Sequence, residues 1–366
     1  MERFEQQDLF ASGVGGYVRY RIPALVVTTR DTLLAFCEAR MYTGADSDQI
    51  DLFLRRSEDG GRTFGPPQRI ATQPDWVCGN PAPVVDRVTG VIWLPFCKNR
   101  RDGDETMICE GNAPRTVWLT HSRDDGTTWA EPVEITARVK PADWSWYATG
   151  PCHGIQLERG PHAGRLVVPC DHIVMRARSR CDDPYHSHIL YSDDHGATWH
   201  LGGDTDEGAN ESACVETADG WLYLNSRNKR GLPEGGNYRA VAWSQDGGAS
   251  FAPTVRDAAL PEPICQASVC RCSLATAAGG RNRVVFANPA ALTGRYHVTV
   301  RLSYDECRTW PVARVLHEGP AAYSDLCVTP EGDIGCLYER GDEGPYERLT
   351  FARFNLAWLT RGRDGG

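Results

Sequence analysis

The chain has 366 residues, with 48 acidic and 39 basic side chains and a formal net charge of −9. Because phosphate backbones are bound by clustered Lys and Arg, this balance argues against a nucleic-acid partner, although it allows a local basic pocket. No apolar run approaches the roughly 20 residues that span a bilayer, so we expect no membrane segment. No linker or low-complexity stretch interrupts the chain, and we predict one domain over residues 1–366.

The fourteen cysteines indicate a reducing environment. Most lie in apolar, strand-like runs, among them Cys37, Cys97 and Cys336, and no CxxC pair occurs. The first residues contain no apolar leader. We therefore expect buried thiols and a cytoplasmic location.

A short pattern called the Asp box, Ser-x-Asp-x-Gly-x-Thr-Trp/Phe, occurs five times. The copies lie at 57–64, 122–129, 192–199, 244–251 (with Ser250 in place of threonine) and 303–310 (with Cys307 in place of glycine). In a tight turn the Ser and Asp side chains can bond backbone amides, and glycine can adopt a positive φ. Each copy is therefore predicted to be a hairpin turn between antiparallel strands, with its aromatic residue packed beneath.

The spacing of these copies predicts the architecture. Their starts at 57, 122, 192, 244 and 303 are separated by 65, 70, 52 and 59 residues. A four-stranded blade with its loops has this size, and the chain holds about six. We therefore predict an all-β fold, a six-bladed β-propeller with Asp-box hairpins. The last blade lacks the box and is predicted to use 333–338 and 349–358, closed by an N-terminal strand.

Two histidines, His186 and His188, lie at strand spacing and so face the same way. A metal pair is one interpretation, but a third ligand is not evident in the sequence. A polar or pocket-lining role is the other interpretation. We expect neither a metal nor a cofactor.

Several short motifs carry a family resemblance. They are Arg21-Ile22-Pro23, Asn210-Glu211-Ser212, Leu224-Asn225-Ser226-Arg227, Gly294-Arg295-Tyr296 and Tyr323-Ser324-Asp325-Leu326. Together with the Asp boxes, they resemble the exo-α-sialidase (neuraminidase) family, glycoside hydrolase family 33 type, shared by bacterial sialidases and the animal cytosolic sialidase. The resemblance implies retaining hydrolysis of terminal α-ketosidic sialic acids from glycans, glycoproteins or gangliosides, through a covalent sialyl-tyrosine.

The resemblance places a carboxylate-binding arginine triad on Arg21, Arg227 and Arg295. The planar guanidinium matches a carboxylate and stays charged. Arg301 competes with Arg295 for the third place, because strand alternation puts both on the same face. The family spacing favours Arg295.

The resemblance also implies the catalytic groups. Asp46 matches the general acid/base, with Asp48 and Asp51 as local competitors, and Asp51 lies inside a strand pattern. Tyr323 matches the nucleophile and Glu211 its base. A neutral phenol suits a substrate whose anomeric carbon carries a carboxylate, which would repel a carboxylate nucleophile.

Further pocket residues follow from the resemblance. Glu339 matches the glutamate that orients the first arginine, and Arg40 is expected to border the site. Three more positions are predicted pocket residues for the N-acyl and glycerol groups: Asn80, Glu105 and Gln266.

Three alternatives to hydrolysis of sialosides remain open. One is a trans-sialidase and another is a hydrolase of a related nonulosonic acid (KDN), both using the same centre. The third is a non-catalytic Asp-box propeller that binds glycans. Intact Asp46, Tyr323 and Glu211 favour an enzyme.

Overall fold

The computed structural model describes residues 1–175, 185–229, 237–275 and 280–364, and within these ranges the chain is almost entirely β. The described helices are short: α1 (Glu105–Cys109), α2 (Thr136–Val139) and α3 (Leu356–Thr360), with one 3₁₀ turn at Gly160–His162. Over the same ranges, no helix has the length and hydropathy that crossing a membrane would require.

The strands follow each other at short intervals. The first ten are β1 (Phe4–Ala11), β2 (Arg19–Val27), β3 (Leu33–Arg40), β4 (Ile50–Ser57), β5 (Gln68–Ala71), β6 (Trp76–Gly79), β7 (Val84–Val85), β8 (Ile92–Arg100), β9 (Thr116–Ser122) and β10 (Val133–Glu134). The next nine are β11 (Trp144–Thr149), β12 (Ile155–Gln156), β13 (Leu166–Val174), β14 (His186–Ser192), β15 (His200–Asp204), β16 (Ala209–Glu216), β17 (Leu222–Asn228), β18 (Tyr238–Ser244) and β19 (Val255–Pro261). The last six are β20 (Ser268–Ser273), β21 (Arg283–Pro289), β22 (Tyr296–Ser303), β23 (Val312–Val328), β24 (Ile334–Arg340) and β25 (Arg348–Phe354).

The described strands pair into sheets of seven, nine, five and four strands. Pairing between chain neighbours is antiparallel throughout the two largest sheets, each of which contains two successive groups. In one, a single parallel contact between Ile50 and Val77 joins β2–β5 to β6–β10. In the other, the 17-residue strand β23 pairs with β22 in its first half and with β24 in its second. Six antiparallel groups therefore follow one another along the chain.

The two ends of the chain meet in the last group. Strand β1 pairs antiparallel with β25, and Phe4 lies opposite Phe354. This is the pairing that the sequence analysis expected for the last group. The predicted segment 349–358 is corrected in one respect: the strand ends at Phe354. Asn355 then begins α3, because its side chain accepts a hydrogen bond from the Trp358 amide at 2.9 Å.

The five Asp boxes share one hydrogen-bond pattern. In the first, the Ser57 hydroxyl accepts from the Gly61 amide at 2.8 Å. The Asp59 carboxylate accepts from the Thr63 amide at 2.9 Å and from the Thr63 hydroxyl at 2.6 Å. The corresponding bonds recur in the other four boxes. Cys307 keeps the pattern although its φ is 67°, a conformation that favours glycine.

The boxes also join neighbouring groups. A Cβ on Gly61 would lie 2.5 Å from the Phe351 ring of the last group, and one on Gly126 would lie 3.0 Å from Leu34. Box aromatic residues make contacts of the same kind: Phe64 packs edge-on to Phe351, with ring centroids 5.2 Å apart. Glycine is therefore needed in these two turns both for its φ and for close approach. The apolar core lies between successive groups.

The sequence analysis expected the cysteines to be buried thiols. Cys37, Cys97 and Cys336 are free thiols, and all three are fully buried. Their neighbours are apolar core residues, so these thiols behave as small hydrophobic side chains.

The boxes predict an acid-sensitive stability. Hydrogen bonds from Thr128 lower the pKa of Asp124 to about 2, and similar bonds outweigh desolvation in Asp59 and Asp246, lowering the pKa of each to about 2. The folded pKa lies below the unfolded value, so this stabilisation is complete above the unfolded pKa of about 4 and disappears as pH falls through about 2. We expect the melting temperature to fall steeply over that window.

Calorimetry of an Asp124→Asn variant tests whether the Asp-box carboxylates cause this loss of melting temperature at low pH. The variant should be less stable at pH 7 and show a shallower loss of melting temperature between about pH 4 and 2. The control Asp31→Asn changes an exposed carboxylate outside the boxes and should keep the wild-type slope. Identical slopes for all three proteins would contradict the assignment.

Candidate active site

A cavity of about 160 Å³ collects most of the predicted site residues. Nine of them line it: Arg21, Arg40, Asp46, Asn80, Glu105, Glu211, Arg227, Arg295 and Tyr323. Another cavity, of about 190 Å³, is lined by apolar residues such as Val27 and Val85 together with charged ones such as Arg159 and Glu216, and it contains none of the predicted residues.

Irregular strand pairing positions the central side chains. The register shifts between Arg21 and Ala24 in β2, beside Glu211 in β16, and beside Tyr323 in β23. A bulge bends its strand and re-aims a side chain. Ile22 adopts a φ of 58°, which is strained for a β-branched residue. The three side chains therefore owe their direction to local departures from regular β-structure.

Tyr323 and Glu211 form a buried hydrogen-bonded pair. The Tyr323 hydroxyl donates to Glu211 Oε1 at 2.6 Å, and Arg227 Nη1 donates to Tyr323 Oη at 3.1 Å and to Glu211 Oε2 at 2.8 Å. Burial and the charge of Glu211 hold the pKa of Tyr323 well above its usual value. Burial acts to raise the pKa of Glu211, but Arg227 and the hydrogen bond from Tyr323 outweigh it and lower that pKa. A neutral phenol thus faces an ionised carboxylate that can take its proton.

Three guanidinium groups surround the Tyr323 ring. Arg227 bonds the hydroxyl, and the guanidinium carbons of Arg21 and Arg295 lie 5.1 Å and 5.4 Å from the ring centroid. Arg295 also donates to the Tyr346 hydroxyl at 2.7 Å. The three arginines of the predicted triad therefore lie around one ring, and they form a local cluster of positive charge within an acidic protein.

Arg301 does not reach the cavity. It lies in the middle of β22, and its Nη1 donates to Asn288 Oδ1 at 3.1 Å. Arg295 lies just before that strand, six residues away, and a strand rises about 3.4 Å per residue. The register of β22 also shifts twice between the two arginines, so the regular alternation behind the expected shared face does not hold, and of the two only Arg295 lines the cavity.

Asp46 is the carboxylate of its loop that faces the cavity. Its Oδ1 lies 2.5 Å from Arg40 Nη1 and 3.7 Å from Arg21 Nη1. Desolvation acts to raise its pKa, but the charges of these two arginines lower it to about 2. The two other carboxylates considered for the general acid have different partners. Asp48 accepts from the backbone amides of its own loop, and Asp51 accepts from the Tyr17 hydroxyl at 2.6 Å.

Glu339 lies behind the cavity and is fully buried. Its Oε1 accepts from Arg21 Nε at 3.0 Å and from the Ile22 amide at 2.9 Å. Its Oε2 accepts from Arg21 Nη2 at 3.3 Å and from the Tyr323 amide at 3.1 Å. The predicted orientation of Arg21 by Glu339 matches this geometry, and the same carboxylate also fixes the backbone of Tyr323.

The remaining lining residues are held by polar partners. Arg40 lies between Asp46 and Glu38, whose Oε2 accepts from Arg40 Nη2 at 2.7 Å. The backbone amide of Asn80 donates to Glu38 Oε1 at 2.8 Å. Glu105 begins helix α1 and accepts from Lys229 Nζ at 3.0 Å.

The structure corrects the prediction for Gln266, which lies outside the cavity lining and is fully buried. Its Nε2 donates to the carbonyls of Pro151 and Ser324, each at 2.9 Å, and its Oε1 accepts from the Ser324 amide at 3.0 Å. All its polar atoms are used by backbone groups. Gln266 therefore supports the strand that carries Tyr323 and does not contact a ligand.

The structure adds a carboxyl group that the sequence analysis missed. Asp171 on β13 is fully buried and lines the cavity. Its Oδ2 accepts from Trp146 Nε1 and Asn210 Nδ2, both at 3.0 Å. Burial and the nearby charge of Glu211 hold the pKa of Asp171 well above its usual value. Asn210 lies in a motif noted in the sequence, but nothing in the sequence around Asp171 indicated the site.

The histidine pair also has a different geometry from the one considered. His186 and His188 do face the same way, but His188 Nδ1 lies 3.0 Å from His172 Nδ1. The groups beside His186 are His172 and Asp204, from the two neighbouring strands. The possible ligands beside His186 thus come from neighbouring strands of the same sheet, and His188 is not among them.

The chain is similar to known proteins over most of its length. A BNR repeat-like domain matches residues 22–336. A sialidase of Micromonospora viridifaciens is 37% identical over 97% of this chain and 54% of the relative. An exo-alpha-sialidase of Aspergillus fumigatus is 32% identical over 97% of this chain and 88% of the relative. The chain therefore spans about half the length of the bacterial relative and most of the fungal one.

Solved structures share the fold. A Hadza microbial sialidase superposes with a TM-score of 0.83 at 28% identity, over 97% of this chain and 69% of that one. An intramolecular trans-sialidase from Ruminococcus gnavus superposes with a TM-score of 0.81 at 20% identity, over 96% of this chain and 98% of that one. The chain belongs to the sialidase family of glycoside hydrolases.

Proposed function

We propose that this protein is a retaining exo-α-sialidase that removes terminal α-ketosidically linked sialic acids from glycoconjugates through a covalent sialyl-tyrosine. One observation carries the proposal: the Tyr323 hydroxyl lies 2.6 Å from Glu211, and three arginines surround the same ring. A carboxylate bound by those arginines would bring the adjacent anomeric carbon towards the phenolic oxygen.

The proposal includes the predicted architecture, in which the six strand groups are blades around this cavity. Two observations support it. The first group contacts the last through an Asp box, and the N-terminal strand completes that last group. Each group also contributes to the cavity lining, in chain order through Arg21, Asn80, Asp171, Glu211, Arg295 and Tyr323. Convergence of six consecutive groups on one cavity is the geometry of a propeller axis.

In the first chemical step, the Tyr323 oxygen bonds to the anomeric carbon as the bond to the leaving oxygen breaks. Glu211 takes the phenolic proton, and Asp46 gives its proton to the leaving oxygen. In the second step, water attacks the same carbon and releases the tyrosine, which recovers its proton from Glu211. Asp46 accepts the proton of the water. Two inversions give net retention.

Asp46 must be protonated for the first step, although its pKa in the ligand-free cavity is about 2. Arg40 is the larger cause of this low pKa and Arg21 the second, and substrate binding changes the contribution of Arg21. Arg21 lies 3.7 Å from Asp46, and in the complex its charge is shared with the substrate carboxylate. That second anion also lies close to Asp46, so binding raises the pKa of Asp46. Substrate binding thus favours the protonated form of Asp46 that the first step requires.

Covalent trapping tests the nucleophile. A 3-fluoro sialosyl fluoride should label wild-type protein at Tyr323, as located by mass spectrometry of its peptides. Tyr323→Phe removes only the phenolic oxygen, so it should fold and lose about 10³-fold or more in kcat. The matched control Tyr338→Phe removes a buried hydroxyl on β24, outside the cavity, and should remain active. A label on Glu211, or turnover without any adduct, would overturn the mechanism.

The role of Asp46 predicts a dependence on the leaving group. Asp46→Ala should cleave an activated aryl sialoside at a rate near that of wild type, because a leaving group of low pKa needs little protonation. It should cleave sialyl-lactose at least about 100-fold more slowly than wild type. The ratio of the two kcat/KM values is the measurement. An equal loss on both substrates would contradict the role of general acid.

The arginine assignment is tested by a pair of conservative variants. Arg295→Lys should lower kcat/KM by about 10–100-fold, because it replaces a charge-assisted bidentate contact by a point charge. Arg301→Lys changes the competing arginine and should leave kcat/KM within about 3-fold, provided that both variants melt as wild type. The opposite ranking would transfer the assignment to Arg301. The products, free sialic acid or a transferred sialoside, separate hydrolysis from transfer in the same assays.

A further inference from the structure

Four polar side chains share one face of the sheet formed by β11–β15. His172 on β13 lies opposite His186 on β14, and His188 lies opposite Asp204 on β15. The rings of His172 and His188 are fully buried, and Trp144 stacks on His172 with ring centroids 3.4 Å apart. Residues opposite each other in a sheet point to the same side, so these groups form one cluster.

We propose that His172, His186 and Asp204 bind one zinc ion. One ligand atom from each lies within 4.8 Å of the others, and His172 Nε2 is 4.0 Å from Asp204 Oδ2. Tetrahedral zinc bound at about 2.0–2.1 Å places its ligand atoms about 3.3 Å apart. The distance between His172 Nε2 and Asp204 Oδ2 exceeds this spacing by about 0.7 Å, which a small rotation of the exposed Asp204 side chain can remove. Two imidazoles and a carboxylate are a donor set that zinc commonly takes.

The second layer of contacts favours metal-binding tautomers. His186 Nδ1 lies 2.9 Å from the Thr205 carbonyl, which only accepts, so Nδ1 carries the proton and Nε2 presents a lone pair. His172 Nδ1 can likewise donate to His188 Nδ1 at 3.0 Å. Across the described ranges, His172 Nε2 has no hydrogen-bond partner although the ring is buried. His188 Nε2 in the same cluster also has no partner among the described residues, and in the proposed site zinc satisfies the nitrogen of His172.

The surroundings define the role of this site. The Asp204 side chain is 56% exposed, so an ion can enter from solvent, and water can complete the tetrahedron. His172 follows Asp171, whose side chain lines the catalytic cavity, and successive strand residues face opposite sides. The zinc therefore lies behind the cavity wall. Its role is to hold β13–β15 together, and it takes no part in the chemistry.

Equilibrium dialysis of the untagged, reduced chain against Zn²⁺, followed by elemental analysis, tests the proposal. Wild type should retain one zinc per chain and melt at a higher temperature with Zn²⁺ than after treatment with EDTA. His186→Ala and Asp204→Ala should weaken binding by more than about 100-fold, because even second-layer substitutions cost 10–100-fold. Both side chains lie at the surface of the cluster, so the variants should fold. The control His200→Ala removes another histidine of β15 and should bind as wild type.

Cobalt substitution separates this site from the many thiols. Co²⁺ in the proposed site has only nitrogen and oxygen ligands, so its visible bands should appear without the thiolate-to-cobalt charge-transfer absorption. His186→Ala should abolish those visible bands. Failure of wild type to retain zinc would overturn the proposal. So would equal zinc retention by wild type and His186→Ala, or thiolate bands in the cobalt protein.

Discussion

The Glu339 carboxylate is the contact on which the site depends. It is fully buried and accepts from the guanidinium of Arg21 and from the amides of Ile22 and Tyr323. One side chain thereby sets the position of a substrate-binding arginine and of the proposed nucleophile, which lie on strands from opposite ends of the chain. A buried carboxylate is costly unless it is fully hydrogen-bonded, and this one uses both oxygens. Removing it would leave Arg21 with only the more distant carboxylate of Asp46, 3.7 Å away.

The irregular backbone around Arg21, Glu211 and Tyr323 needs a scaffold that tolerates it. A positive φ at a β-branched residue such as Ile22 costs about 1–3 kcal/mol and persists only when the surroundings fix it. The Asp boxes supply that rigidity at the hairpin turns. Their repeated hydrogen bonds and close contacts between groups stabilise the β-framework without involving any side chain of the cavity. The strained residue Ile22 thus lies at the cavity, whereas the stabilising hydrogen bonds of the Asp boxes lie at the hairpin turns.

Local patterns in the sequence predicted most of this structure. The Asp boxes mark hairpins because their hydrogen bonds lie within eight residues, and the motifs around Arg21, Glu211 and Tyr323 are equally local. Predictions were less complete where spatial neighbours are distant in sequence. Gln266 has pocket-like polarity, yet its partners are backbone groups of other strands. The position of Asp171 at the cavity and the proximity of His172 to Asp204 both depend on the register between strands, which no short motif encodes.

Most charges around the cavity are paired, and Arg115 and Arg295 are the lining arginines without an ion pair in the described part of the chain. Arg21 is paired with Glu339, Arg227 with Glu211, and Arg40 with Glu38. Arg295 instead donates to the Tyr346 hydroxyl and to the Ile264 carbonyl, and it forms no ion pair with a carboxylate in the described part of the chain. A largely buried guanidinium without a counterion is costly, and an anionic ligand removes that cost when it binds. The carboxylate of the proposed substrate would supply a negative charge beside Arg295, so a local basic group could bind an acidic ligand although the net charge of the protein is −9.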